Sequence, residues 1–210
     1  MQRRHLTLWL AVIPGIAAML AGCATAPSDA EISAKAAAML KASFKENGQA
    51  KLDRLDQDET QKTCSAYGGK EPPKAVVEQI EKVNLASIKW PADDKFLGDW
   101  KSGERIAQSG QGMQYSDDPK APSGANCYAC HQLAPQELSY GTIGPSLYQF
   151  GKVRGYGADI QKYAYGKVFN PEAYNACSNM PRFGHNRILT EQQIKDVVAL
   201  LMDPASPVNK

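Results

Sequence analysis

Apolar residues are spread unevenly along the chain. Leu6 to Leu20 form a nearly unbroken apolar run of fifteen residues, preceded by Arg3 and Arg4 and broken by Pro14 and Gly15. That length is short for a transmembrane helix and suits the apolar centre of an export signal, so residues 1–22 are expected to be a signal peptide. Ile32 to Phe44 and Lys51 to Thr63, rich in Ala, Lys, Glu and Leu, predict two helices of modest apolarity. Leu52 and Leu55 lie at i and i+3, while Asp53, Arg54, Asp56, Asp58 and Glu59 read as a solvated face. A third helix is predicted after Pro72-Pro73, carrying Val76, Ile80 and Val83, and it should stop before Trp90-Pro91 because a residue preceding proline disfavours helical backbone.

From Asp94 the pattern strengthens. Phe96, Leu97, Trp100, Ile106 and Ala107 predict a helix ending near Gly110 or Gly112, followed by a loop from Gln111 to Asn126 rich in Gly, Ser, Asp and Pro. Beyond residue 131 the chain is expected to be mostly loops and short turns, punctuated by Gly141, Gly144-Pro145, Gly151, Gly155 and Gly157. The clearest helix is the last. Thr190 and Gln193 form a T-x-x-Q capping box, Ile194, Val197, Val198 and Leu201 follow at i, i+3, i+4 and i+7, and Asp203-Pro204 ends the pattern. The expected organisation is a short tether at 23–30, a helical N-terminal extension at 31–91 too poor in apolar residues to stand alone, and a domain at 92–210.

Charge adds little. The formal excess of +2 belongs to Arg3 and Arg4, so the chain without residues 1–22 is neutral and nothing in its average charge argues for nucleic-acid binding. Arg182, Arg187 and Lys195 could attract an anion or a partner, although exposed basic residues are ordinarily just solvated.

Cysteine spacing changes the picture most. In Cys127-Tyr128-Ala129-Cys130-His131 two thiols sit at the separation of a haem's two vinyl groups, and the adjacent imidazole can reach the iron as proximal ligand. This predicts one covalently bound haem c. The rival reading is a redox or zinc C-x-x-C, but no second cysteine pair completes a zinc site and no βαβ pattern surrounds the motif. Leu20-Ala21-Gly22-Cys23 resembles a bacterial lipobox, in which Cys23 is acylated and becomes the mature N-terminus. Ordinary cleavage after Ala24-Thr25-Ala26 is the alternative, with Pro27 following it directly. Ala24 in place of an aspartate points to a periplasmic protein anchored at the outer membrane. Cys64 and Cys177 remain, an even pair that favours a disulfide in an oxidising compartment; two buried free thiols, or a bond from Cys177 to a partner, are the alternatives.

A proximal histidine needs its second nitrogen fixed, usually by a carbonyl. Gly144-Pro145-Ser146-Leu147 resembles the G-P-x-L segment of class I cytochromes c, which implies that the Pro145 carbonyl orients His131. The distal iron ligand could be Met39, Met113, Met180, Met202 or His185. Met180, in Asn179-Met180-Pro181-Arg182-Phe183-Gly184 just before the terminal helix, stands where a class I cytochrome places its ligand loop, with His185 the serious competitor. A His/Met pair saturates the iron and raises its potential, which suits one-electron transfer. The expected fold is therefore all-α, a class I cytochrome c with a helical N-terminal extension.

Residues 127–131, 141–148, 176–184 and 203–209, together with Leu55-Asp56-Gln57-Asp58-Glu59 and Gly98-Asp99-Trp100, resemble the SoxX family, the monohaem subunits of SoxAX complexes in bacterial sulfur oxidation. The resemblance implies a heterodimer with a SoxA-like cytochrome subunit that oxidatively couples thiosulfate to a cysteine of a SoxY-type carrier. The substrate-bearing cysteine of that family lies in SoxA, so no catalytic residue is expected in this chain. Its share of this enzyme, a cysteine S-thiosulfotransferase, would be electron transfer to a small soluble cytochrome c. The lipobox departs from the freely soluble members. The alternative is a stand-alone class I electron carrier in the periplasm.

Overall fold

The computed structural model describes residues 26–210; the expected signal peptide and Cys23 lie outside them. The described chain divides into two compact units, one ending at Phe44 and the other spanning Lys45–Lys210. The first contains α1 (Asp29–Ser43), which Ser28 and Glu31 start with a reciprocal capping box and which buries none of its residues. Residues 45–91 thus belong to the same unit as the expected haem domain, and no break in packing falls at the expected 91/92 boundary.

Within Lys45–Lys210 the helices are α2 (Glu59–Ala66), α3 (Lys74–Ala86), α4 (Trp100–Gln108), α5 (Phe150–Arg154), α6 (Ala158–Phe169) and α7 (Glu191–Met202). Single 3-10 turns cover Leu52–Leu55, Cys127–Ala129, Pro171–Ala173 and Pro207–Asn209. The described residues form no strand, and an isolated bridge joins Asn47 and Ala50. The helix expected across Lys51 to Thr63 is split. Asp58 caps α2 by accepting from the Gln61 backbone N–H at 2.9 Å, which leaves Leu52–Leu55 as a separate turn. The helix expected from Asp94 begins only at Trp100, where Asp99 accepts from the N–H groups of Lys101 and Ser102.

The core is built around α7, whose Ile194, Val198 and Leu200 are fully enclosed. Its start follows the predicted chemistry, capped by Thr190 and Gln193, and it stops at Asp203 as expected; beyond the expectation, Ser206 Oγ donates to the Leu200 carbonyl at 2.6 Å and Asn209 Nδ2 to those of Leu201 and Asp203. Helix α4 crosses α7 at Gly103, where a Cβ would lie 2.1 Å from the Asp196 carbonyl oxygen. Only glycine lets the two backbones approach so closely. On another side of α7 lies α6, a helix in a stretch where the glycines up to Gly157 predict loop. Its Tyr165 is wholly buried between Trp90, Phe96 and Phe169, its ring centroid 5.5–6.1 Å from theirs, and its hydroxyl donates to the Lys89 carbonyl. Trp90 and Phe96 come from the linker before α4, so that linker packs against the core.

Candidate haem site

Two segments carry the expected iron chemistry. The first is Cys127–Leu147. Asn126 enters it in the left-handed region at φ 44°, and a single 3-10 turn follows, with the N–H groups of Cys130 and His131 both donating to the Cys127 carbonyl. The Cys127 and Cys130 thiols are free, not bonded to one another. Cys127 borders the apolar core, and burial pushes its thiol up to about 12, which keeps it protonated. The chain then doubles back: Gly141 N–H donates to the Tyr128 carbonyl, Gly144 N–H to that of Cys130, and Leu147 N–H to that of Gln132.

This return strand of loop brings the Pro145 carbonyl oxygen to 2.7 Å from His131 Nδ1. A carbonyl oxygen only accepts, so Nδ1 carries the proton and Nε2 keeps its lone pair for a metal. Gly144 lies against the ring, since a Cβ there would stand 2.2 Å from His131 Cε1. The Pro145 interaction expected from the G-P-x-L resemblance is thus present as geometry.

The second segment is Glu172–His185. It has no regular helix beyond the Pro171–Ala173 turn, and side chains hold it. Cys177 is disulfide-bonded to Cys64 of α2, with S–S at 2.05 Å, and its own backbone is left-handed at φ 60°. Glu172 accepts from the Cys177 N–H at 2.6 Å, and burial holds its carboxyl above the usual range although the Cys177 and Ser178 N–H groups pull it down. Arg182 is buried and donates to Asp58 Oδ2 at 2.6 Å. Burial opposes ionisation of Asp58, but the Gln61 N–H and the Arg182 guanidinium outweigh it and keep the carboxyl below its ordinary value. Asn170 is fully buried; its Nδ2 donates to Asn84 Oδ1 and Ser87 Oγ, while Asn84 Nδ2 donates to Thr60 Oγ1. Ser87 Oγ also meets His185 Nδ1 at 3.4 Å. Burial, helped by Arg182 and opposed by Asp58, lowers the His185 pKa.

Several sequence readings change here. Asp58 is the cap and ion-pair partner just described, not part of a purely solvated face. Arg182 is consumed by that pair, and Lys195 bonds Asp93 and Glu191, so of the three basic residues considered for anion attraction Arg187 alone is left exposed. The polar network through Asn84, Ser87 and Asn170 was not anticipated at all. Buried asparagines between apolar neighbours are its sequence trace, but nothing in the order of residues pairs them.

Among the distal candidates, Met202 is enclosed in the core of α7, Met113 is exposed, and Met39 lies on α1 in the other unit. Met180 is half-buried against the same apolar cluster that Cys127 and Leu147 border, with its N–H donating to Ser178 Oγ. Among the described residues no three His, Cys, Asp or Glu side chains converge as a metal site. The residues present fit haem: two unpaired thiols at vinyl spacing, an imidazole with a free Nε2, and a half-buried thioether at the edge of the same apolar cluster.

An all-α chain whose helices α4 and α7 cross, with such a motif between them, has the class I cytochrome c fold. The family model for cytochrome c matches residues 116–203. A protein of Aquifex aeolicus (strain VF5), described as an uncharacterized lipoprotein, is 40% identical over 157 residues, which is 73% of each chain. The chain belongs to the cytochrome c family, and it is an electron-transfer protein with covalently bound haem c. Among the described residues no helix is long and apolar enough to cross a membrane.

Proposed function

We propose that this chain is the monohaem electron-accepting subunit of a SoxAX-type cysteine S-thiosulfotransferase. Haem supplies a reversible one-electron couple when bound. The chain's own residues would bind and tune it: Cys127 and Cys130 would hold it through thioethers, with His131 Nε2 as the proximal ligand and Met180 Sδ as the distal one. The observation that supports the haem-ligating part of this reading is the 2.7 Å approach of Pro145 O to His131 Nδ1. That bond fixes the tautomer, orients the ring and raises its basicity. A thioether opposite would raise the potential and leave no open position, favouring electron transfer over oxygen chemistry.

The partner side of the reading rests on the SoxX resemblance. A SoxA-like subunit would carry out the coupling of thiosulfate to the carrier cysteine, which releases two electrons, and this chain would pass them singly to a small cytochrome c. Acylation of Cys23, supported by the lipobox and by the relative described as a lipoprotein, would hold the protein at a membrane facing the periplasm.

Two measurements test this. The oxidised protein should show a near-infrared Met-to-Fe(III) band that Met180→Ala abolishes; a band surviving the substitution refutes the ligand. The chain should support thiosulfate-dependent cytochrome c reduction, in the presence of a cysteine carrier, only together with a SoxA-like subunit. Equal activity alone, or none with the partner, rejects the subunit reading and leaves a free electron carrier.

A further inference from the structure

We infer that α2 is a bracket for the methionine loop, and that its two attachments to that loop are positioning elements for iron ligation. The Cys64–Cys177 bond fixes the chain three residues before Met180, and the Asp58–Arg182 ion pair fixes it two residues after. Both attachments come from one short helix and its cap, Asp58 and Cys64. The inference rests on Met180 being the distal ligand.

The loop itself explains why such a bracket is useful. From Tyr174 to Leu189 the chain has no helix of its own to define where Met180 points. Cys177 is held at φ 60°, a conformation a non-glycine residue adopts only when its surroundings impose it. Glu172 secures the Cys177 N–H from the other side. The bracket is itself anchored, because Thr60 of α2 accepts from Asn84 of α3, and Asn84 accepts from Asn170 beside the Pro171–Ala173 turn. A neutral thioether is a weak ligand for ferric iron, so its occupancy depends on how narrowly the chain confines it. Pinning both flanks raises its effective concentration at the metal.

Cutting a bracket that only stabilised the fold would lower the melting temperature and leave ligation alone. The two roles separate on the haem-loaded, folded protein, measured well below its melting temperature. C64S/C177S should weaken methionine ligation on the order of tenfold, a usual size of coupling between sites. The readouts are a diminished near-infrared band, a lower midpoint potential and carbon monoxide binding to the ferrous form. Asp58→Asn, which keeps the disulfide, should move all three in the same direction by less. Asn209→Ala removes buried hydrogen bonds at the far end of α7 and should leave the band unchanged. The bracket is overturned if C64S/C177S keeps the band, potential and carbon monoxide insensitivity of the parent, or if Asn209→Ala loses the band as much. A parent protein with no such band overturns the Met180 assignment and the bracket together.

Discussion

The attachment segment around Cys127–His131 and the methionine loop around Met180 are both irregular, yet they are held by different means. Backbone holds the first: N–H groups of Gly141, Gly144 and Leu147 pair with carbonyls of the motif, within a stretch of about twenty residues. Side chains hold the second: a disulfide spanning 113 positions, an ion pair spanning 124 and an Asn–Asn contact spanning 86. A backbone-stitched segment depends on where glycine and proline fall. A side-chain-held loop depends on individual partners far away, and it loosens as each of them is removed.

The sharpest way to break the comparison is at the attachment segment. C127A/C130A should abolish covalent haem, so that no haem colour stays with the polypeptide on a denaturing gel, and the apolar surface meant for the cofactor would leave the unit poorly folded by circular dichroism. Retained haem would mean that the thiols are not the attachment points. A smaller effect is expected from Asn170→Leu in the distal network. It leaves Asn84 Oδ1, the Ser87 hydroxyl and the Glu172 N–H short of a partner, and should cost roughly 1 to 3 kcal/mol in urea unfolding of the haem-loaded protein. No change would show that water replaces the amide. The smallest effect is electrostatic. The His185 pKa is lowered in the folded state, chiefly by burial and then by Arg182. The unfolded chain therefore binds the extra proton first, and stability should be full above the unfolded histidine value of about 6.5 and decline as pH falls below it. His185→Gln should flatten that part of the stability profile; an unchanged slope would place its origin elsewhere.

Legibility in the sequence follows the same division. The attachment motif, the G-P-x-L turn and the capping box of α7 are contiguous, so each could be read from a few adjacent residues. The Cys64–Cys177 pairing was reachable by elimination because cysteines are few. The Asn84–Asn170–Ser87 network and the Asp58–Arg182 pair were not reachable, since nothing local marks one buried polar residue as the partner of another. Helix α6 was missed for a different reason. Gly151, Gly155 and Gly157 punctuate the chain just ahead of it and Gly157 is its N-cap, so the residues after them looked like a continuation of the loop. The thin apolar content of residues 31–91 already implied an extension that leans on the rest of the chain, but not which residues do so: Ile88, Trp90 and Phe96 pack with residues far downstream.

The disulfide also has a bearing on the order of assembly. Leaving Cys23 aside, four thiols can pair in three ways, and the native way joins the two that are distant while sparing the two that are adjacent. In an unfolded chain, entropy favours closing the shorter loop, so Cys127 and Cys130 are the pair at risk of oxidation. Thioether formation removes both sulfurs from exchange for good. From that moment Cys64 and Cys177 have only each other to find.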